Sequence, residues 1–477
     1  MSVTMALFTR DLRVHDNPVL VAAENRGDGL VALFVVDEAI ASSSYMTPNK
    51  ASFLAAALAE LDEELRRRGG RLIVRHGPLV TEVERLVAEL SITEVHLASD
   101  VSSYARRREQ ALRERLAQHD CSLEVHSSSV TVSEPGELVP HGGQDHFAVF
   151  TPYYRKWLQA ATRRVLAAPS TLNVVDTHSE SLPAASQLSG GKPSPKLAVG
   201  GETTARRILK EWLAGPVDEY HVYHDDLAAG ATSRLSPYLH FGCISPVELV
   251  YRSRSSTEGC AAFVRQIAWR DFYAQLLAAR PDAAREDYRR RTDGWQHNPD
   301  AFDAWCRGRT GYPIVDAGMR QLAAEGWMHN RARLITASFL TKTLQLDWRL
   351  GAQHFMSLLV DGDVANNQLN WQWVAGTGTD TRPYRVLNPL RQAERYDPSG
   401  DYVRRWVPEL AHIATAKVHT PWELEPGAAP DYPPRIVDHR EAVIAARARG
   451  GAGDASSAST RPRKSASRRR ANHLGTG

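Results

Sequence analysis

The first 126 residues alternate short runs rich in β-branched residues with amphipathic stretches. VTMALF, LVALFVVD, RLIVRHG, EVHLASD and SLEVHS read as strands, and segments such as SFLAAALAELDEELRRRGG between them repeat apolar positions at helical spacing. That rhythm predicts a doubly wound parallel sheet over residues 1–126. No G-x-G-x-x-G follows the first strand, so the dinucleotide phosphate loop is absent. From 127 to 200 the pattern weakens into Ser, Pro and Gly clusters (EPGELVPHGGQ, SQLSGGKPSPK), which predicts a long connection over the surface between two bodies. From 201 to 430 the segments TTARRILKEWL, SPVELVYRSR, AAFVRQIAWRDFYAQLLAAR, VDAGMRQLAAEGW and NRARLITASFLTKTLQ carry three-to-four spacing and predict an all-α domain. The fold class is therefore α/β followed by all-α. Residues 431–477 read as a C-terminal extension whose last part, from 451, is poor in large apolar residues and rich in Ser, Gly and Arg, a disordered composition.

Composition changes this picture in two places. With 477 residues, 43% hydrophobic and 24% charged, the chain has material for two or three ordinary cores. Its most apolar stretch, LVALFVV at 30–36, is too short to cross a bilayer, and the start MSVTMALFTRDLR is not a leader, so the expectation is a soluble, cytoplasmic protein. Cys121, Cys243, Cys260 and Cys306 lie far apart without metal-ligand spacing and read as reduced thiols. The net charge of +3 conceals an asymmetry: residues 451–477 hold six basic residues against one acid, a net of +5, which leaves −2 for residues 1–450. Nucleic-acid affinity in the folded body must then come from a local basic patch.

Five stretches of the helical region carry unusual chemistry. In FVRQIAWRDFY, Gln266, Trp269, Arg270 and Tyr273 fall on one helical stripe, mixing an amide, an indole, a guanidinium and a phenol. TSRLSPYLHFG offers clustered hydroxyl and guanidinium donors, consistent either with phosphate binding or with a helix cap. GWMHNRARLITASFL sets Asn330, Arg333 and Leu334 on neighbouring positions, a charged pair bordering a ligand or a plain surface pair. DGD at 361–363 fails as a calcium loop, because position six lacks Gly and position twelve is Gln372. In NNQLNWQWVAGTGTD, Trp371 and Trp373 cannot share one helix face, so one suits a core and the other a cleft wall on which a base can stack.

Together FTRDLRVHDNPVL, TSRLSPYLHFG, AWRDFY, TGYPIVDAGMRQL, GWMHNRAR, DGDVANNQLNWQW and GTGTD…RVLNP, in unbroken order over about residues 3–425, resemble the photolyase/cryptochrome family. The resemblance is closest to its microbial, class I type cyclobutane pyrimidine dimer photolyases. It implies an N-terminal antenna domain, a C-terminal helical FAD-binding domain, light-driven repair of damaged DNA by FADH−, and a monomer. A cryptochrome-like blue-light sensor that binds FAD without repair is the alternative.

Residue by residue, the resemblance assigns Tyr220, Thr232, Ser233, Arg234, Leu235 and Ser236 to the FAD phosphates and ribose, and Phe263 to a flavin neighbour that is Trp in many relatives. It makes Arg333 and Asp361 an ion pair beside the isoalloxazine, with Gly362 and Asp363 next to it. Asn367 faces flavin N5, where plant cryptochromes carry Asp and animal ones commonly Cys. An amide there bonds N5 without bringing a charge, which favours repair over signalling. Trp371, Trp348 and Trp295 match an electron relay from flavin to surface.

For the substrate, Trp269 and Trp373 match two indoles that sandwich a flipped-out lesion, with Arg270 and Arg331 for flanking phosphates and Asn330 for a lesion carbonyl. Flipping costs a few kcal/mol, and stacking at about 1–3 kcal/mol per base offsets it. Asn330 argues against a 6-4 substrate, for which relatives carry His. Gln266 stands where most relatives have Glu, so it keeps a hydrogen bond but has no proton to give. In the sheet domain Arg10, Phe34 and Asp100 sit at strand ends and mark an antenna site for 8-hydroxy-5-deazaflavin or, alternatively, a reduced folate.

Overall fold

The computed structural model describes residues 2–254, 257–291, 294–382 and 385–445; the basic tail expected to be disordered lies outside them. Five parallel strands, β1 (Val3–Phe8), β2 (Gly29–Asp37), β3 (Ile73–Gly77), β4 (Ile92–Ala98) and β5 (Ser122–His126), form one sheet in the order β3-β2-β1-β4-β5. The helices Pro18–Arg26, Pro48–Arg66, Leu79–Leu90 and Ser103–Leu116 cross between strands. Two begin as sequence rules require, with Pro in the first turn and the Asn17 or Thr47 side chain accepting the orphan backbone N–H groups. Strand β2 is buried at all nine positions, as a two-sided central strand must be.

Strand alternation feeds two different cores. Met5, Leu7, Val31, Leu33 and Val35 face Val83, Leu86 and Leu112. Ala6, Phe8, Ala32, Phe34 and Val36 face the other way, into a core that continues through Leu54 and Leu58 to Phe263, Ile267 and Phe272 of the helix Glu258–Ala279. The second face of the sheet thus shares one hydrophobic core with the helical region. A further core gathers Trp305, Leu340, Trp348, Phe355 and Trp371 among the helices Pro313–Glu325, Asn330–Ser338, Trp348–Leu358 and Val364–Ala375.

The stretch expected to be a plain connection does structural work. It carries a helix, Phe150–Gln159, and its backbone is tied to the long helix Glu258–Ala279 by one carboxylate: Asp271 Oδ2 accepts Val132 N at 2.9 Å, Ser133 N at 3.0 Å and Trp157 Nε1 at 2.9 Å. Burial pushes the Asp271 carboxyl up to about 6 despite these donors.

Backbone also meets backbone between the two halves. Leu12 N donates to Phe241 O at 3.3 Å, and the buried Arg13 donates to Gly242 O at 3.0 Å. Gly242 has φ +67°, and a Cβ there would lie 1.9 Å from the Arg10 carbonyl oxygen. Gly242→Ala therefore meets both a left-handed penalty and a backbone clash that no rotamer relieves. The expected loss exceeds about 2 kcal/mol, read as a drop of several degrees in thermal midpoint; an unchanged melt would mean that residues 240–243 are not pinned on residues 10–13.

Candidate active site

A cleft between the helices Asn330–Ser338 and Val364–Ala375 is lined by Asn330, Arg333, Asp361, Gly362, Asn367 and Trp371, so six residues singled out from three separate stretches stand around one space. Its charged element is an ion pair: Arg333 Nη2 donates to Asp361 Oδ2 at 2.7 Å, and the same oxygen accepts Ser236 Oγ at 2.6 Å. Trp327 Nε1 in turn donates to Ser236 Oγ at 3.1 Å, which ties the Thr232–Ser236 loop to the cleft. Asp361 Oδ1 is buried and has no protein donor, an orphan that a ligand N–H or O–H satisfies. Asn367 spends Nδ2 on Ala352 O at 3.0 Å and Gln368 Oε1 at 3.2 Å, leaving its carbonyl oxygen as an acceptor. The site thus holds one charged and one neutral acceptor with no protein donor, which fits the N–H-rich edge of a reduced flavin.

The remaining expected cofactor contacts spread outward. Tyr220 and Phe263 meet edge to face at 6.0 Å inside the first core. Leu235 is buried, Thr232 and Ser233 are half-buried, and Arg234, at φ 52°, pairs with Glu325 at 2.5 Å and lies 4.3 Å over the Trp327 ring. Asp363 differs from the expectation of a flavin contact. It caps the helix Val364–Ala375 by accepting Asn366 N at 2.9 Å and turns its other oxygen to Arg10 Nη2 at 2.9 Å, away from the cleft. Burial opposes its charge, but Arg10, His240 and Arg270 outweigh burial and hold it well below the usual carboxylate range. Arg10 also pairs with Asp100 at 3.1 Å, and the two carboxylates raise its pKa although burial alone lowers it.

Arg10, Phe34 and Asp100 line one cavity of about 470 Å³ at the carboxyl ends of β1, β2 and β4. This is where the strand order reverses, the crevice in which doubly wound sheets take ligands. Tyr45, Asp37, Tyr104 and Arg108 add polar groups, while His240, Phe241 and Asp363 close it from the helical side.

The three indoles expected to form a relay differ in burial: the first two are buried and the third is partly exposed. Trp371 is 3% exposed at the cleft, Trp348 is fully buried with Nε1 donating to Asp287 at 2.9 Å, and Trp295 is partly exposed beneath Arg291, 4.2 Å from its ring. Trp371 meets Phe355 edge-on at 4.9 Å and Trp305 at 6.0 Å.

On the long helix Gln266 is exposed, without a polar partner among the described residues, and Trp269 is half-buried with Phe150 stacked on it, centroids 3.7 Å apart. Arg270 does not reach outward as expected. It donates to the Val130 carbonyl and, at 3.3 Å, to Leu239 O, because its stem lies in the buried seam between the halves. Arg331 is likewise committed, to Asp225 at 2.5 Å and over the Tyr396 ring at 4.4 Å. Trp373 is half-buried on the helix of Trp371, and Asn330 is exposed. Arg382 and Arg385 are exposed with no carboxylate partner among the described residues, and the exposed Arg265 lies over the Phe150 and Tyr154 rings.

Sequence reasoning missed Lys50. From the helix Pro48–Arg66 its Nζ donates to Met356 O at 2.9 Å, beside the turn 361–363, and burial pushes it down to about 8 against the pull of Asp361 and Asp363. Nothing local marks that role, since the partner lies 306 residues away. His329 is the other omission: its Nδ1 accepts Arg331 N at 3.1 Å and so caps the helix Asn330–Ser338.

A family model described as the DNA photolyase domain matches residues 4–171, and one described as the FAD-binding domain of DNA photolyase matches residues 263–451. The chain belongs to the DNA photolyase family. Among photolyases it is 56% identical to the deoxyribodipyrimidine photo-lyase of Streptomyces griseus, over 93% of this chain and 98% of that one. A bacterial class III photolyase from Agrobacterium tumefaciens superposes with a TM-score of 0.89 at 33% identity, covering 95% and 98% of the two chains. A Synechocystis cryptochrome superposes with a TM-score of 0.85 at 28% identity, covering 94% and 98%. The photolyase architecture, an antenna-type parallel sheet followed by helices, is the one seen here.

The neutral cap makes this photolyase-family cleft sensitive to acid. Burial pushes His329 down to about 4, and likewise His96 and His354 to about 4, from 6.5 when free. The folded form therefore binds fewer protons, so stability present above pH 6.5 is lost as the pH falls toward 4. Thermal midpoints are expected to fall across that window, and His329→Asn, which keeps an acceptor without a titration, to flatten part of the slope. An identical slope in the variant would remove His329 from the account.

Proposed function

We propose that this chain splits cyclobutane pyrimidine dimers in DNA using blue or near-ultraviolet light, as a carbon–carbon lyase. The observation that carries the reading is the cleft itself: Asn367 presents a neutral acceptor beside the Arg333–Asp361 pair, at the foot of the helix that bears Trp371 and Trp373. Bound FAD, in its reduced form, supplies the light-driven electron that opens the cyclobutane ring and takes it back. Arg333 pairs with Asp361 at 2.7 Å and fixes its position at the cleft, and Asn367 holds its acceptor in place through Ala352. Trp269 and Trp373 take the extruded lesion by stacking, Gln266 and Asn330 donate to its carbonyls, and the exposed guanidinium groups of Arg382 and Arg385 take the backbone phosphates. Trp371, Trp348 and Trp295 carry oxidising equivalents outward when the cofactor is being reduced. We assign 8-hydroxy-5-deazaflavin to the 470 Å³ cavity, because a flat, partly charged tricycle suits its apolar floor and its Arg10, Asp100 and Arg108 rim; a reduced folate is the alternative. The protein acts as a cytoplasmic monomer.

The test uses purified protein and dimer-bearing oligonucleotides, assayed in the dark and under blue light. Dimer loss only under light supports the reading, whereas dimer levels indifferent to light, with bound and photoreduced FAD, would favour the sensor. Trp269→Ala should weaken binding of dimer-containing DNA by about 1–3 kcal/mol, the weight of one stacked base. Gln266→Glu should leave repair near wild type at neutral pH. A manyfold gain with a new acid-side pH dependence would show that the missing proton matters.

A further inference from the structure

Phe150 opens the helix Phe150–Gln159, outside the helices that build the cleft. Its ring lies on Trp269 with centroids 3.7 Å apart and planes 5° from parallel. An indole so covered has one face left. Phe150 is itself 5% exposed while Trp269 is half-buried, so the remaining exposure of Trp269 belongs to its other face and its edges. No other described ring meets Trp269 so closely: Tyr273 is 5.7 Å away at 29°, and Phe272 is edge-on at 5.5 Å.

A face-to-face sandwich is not what two rings choose alone, since their like-signed faces repel and offset or edge contacts win. Here the surroundings impose it. Tyr154 stacks behind Phe150 at 5.4 Å and 13°, and Phe272 stands edge-on to Phe150 at 5.7 Å. The Arg265 guanidinium lies over Phe150 at 5.6 Å and over Tyr154 at 5.7 Å, where a cation draws on the ring faces. Asp271, two residues beyond Trp269 on the long helix, holds the Trp157 indole, so the two helices cannot slide past one another.

We propose that Phe150 is a positioning residue for lesion recognition: it fixes the plane of Trp269 and leaves one indole face for the extruded pyrimidine pair. This rests on the reading of Trp269 as a stacking platform. A base added to that face extends a column of Tyr154, Phe150 and Trp269, and the indole loses no rotational freedom on binding because Phe150 has already removed it. Undamaged DNA, held through its phosphates, gains nothing from the column. Phe150 therefore acts on discrimination more than on affinity for DNA as such.

The experiment measures binding of full-length, FAD-loaded protein to a thymine-dimer oligonucleotide and to its undamaged counterpart, in the dark at one salt concentration. Phe150→Leu keeps the buried apolar volume but loses the flat face, and Phe150→Tyr keeps both. Phe150→Leu is expected to lower dimer affinity roughly three- to ten-fold, the weight of one aromatic contact, with undamaged DNA bound as before, and Phe150→Tyr to match wild type. In a Trp269→Ala background, Phe150→Leu should add no further loss, since it acts only through the indole. Equal losses on both DNAs, wild-type discrimination in Phe150→Leu, or additive losses in the double variant would each overturn the proposal. If Phe150→Leu fails to fold, Phe150→Tyr combined with the Trp269→Ala comparison still decides: a tyrosine variant that loses discrimination with normal FAD content overturns it. Absence of any dimer preference in the wild type would instead overturn the repair reading.

Discussion

Two carboxylates two residues apart on one turn, Asp361 and Asp363, organise this protein. Both are largely buried, and a buried charge is tolerable only when paired. They look in opposite directions. Asp361 takes Arg333 and faces the cleft, while Asp363 takes Arg10 from the end of β1 and faces the sheet cavity. The turn between them is therefore the partition between two ligand spaces, and its position is set from both sides by guanidinium groups that belong to different halves of the chain. Lys50 and His240 complete the enclosure.

The nucleic-acid face follows another rule. The body of the protein has no cationic excess, and two of the arginines on its most suggestive helices are consumed internally, Arg270 by carbonyls of the seam and Arg331 by Asp225. On the proposed reading, phosphate is then left to exposed arginines such as Arg382 and Arg385, and the attraction to DNA is local rather than global. Such a surface places more of the burden of recognition on stacking and shape.

Much of this was legible in the sequence. The sheet is marked by continuous apolar runs such as β2, buried at all nine positions, and the helix Glu258–Ala279 by its length rather than by one stripe, since residues 271–277 are all buried. The cleft was legible through motif composition: Arg333, Asp361, Asn367 and Trp371 do stand around one space. What could not be read is direction. Arg270 and Gln266 lie on one helical stripe, yet one turns into the seam and the other to solvent, a choice made by carbonyls at Val130 and Leu239 far along the chain. Asp363 carries no local mark distinguishing it from Asp361. Phe150 sat in a stretch whose Ser, Pro and Gly content hides a helix held by Asp271, a contact of 114 residues' separation at Trp157.

The reach of Lys50 from the sheet-side helix to Met356 bears on modularity. Two family models divide this chain, and its cores invite the same division into interchangeable parts. The chemistry does not divide there: without the sheet half, Asp363 loses its ion-pair partner Arg10 and the turn that shapes the cleft loses Lys50, so the helical half standing alone would bury charge less well answered. A sheet half borrowed from a relative must bring both cations with it, which makes the pair of halves a single inherited unit rather than two interchangeable modules.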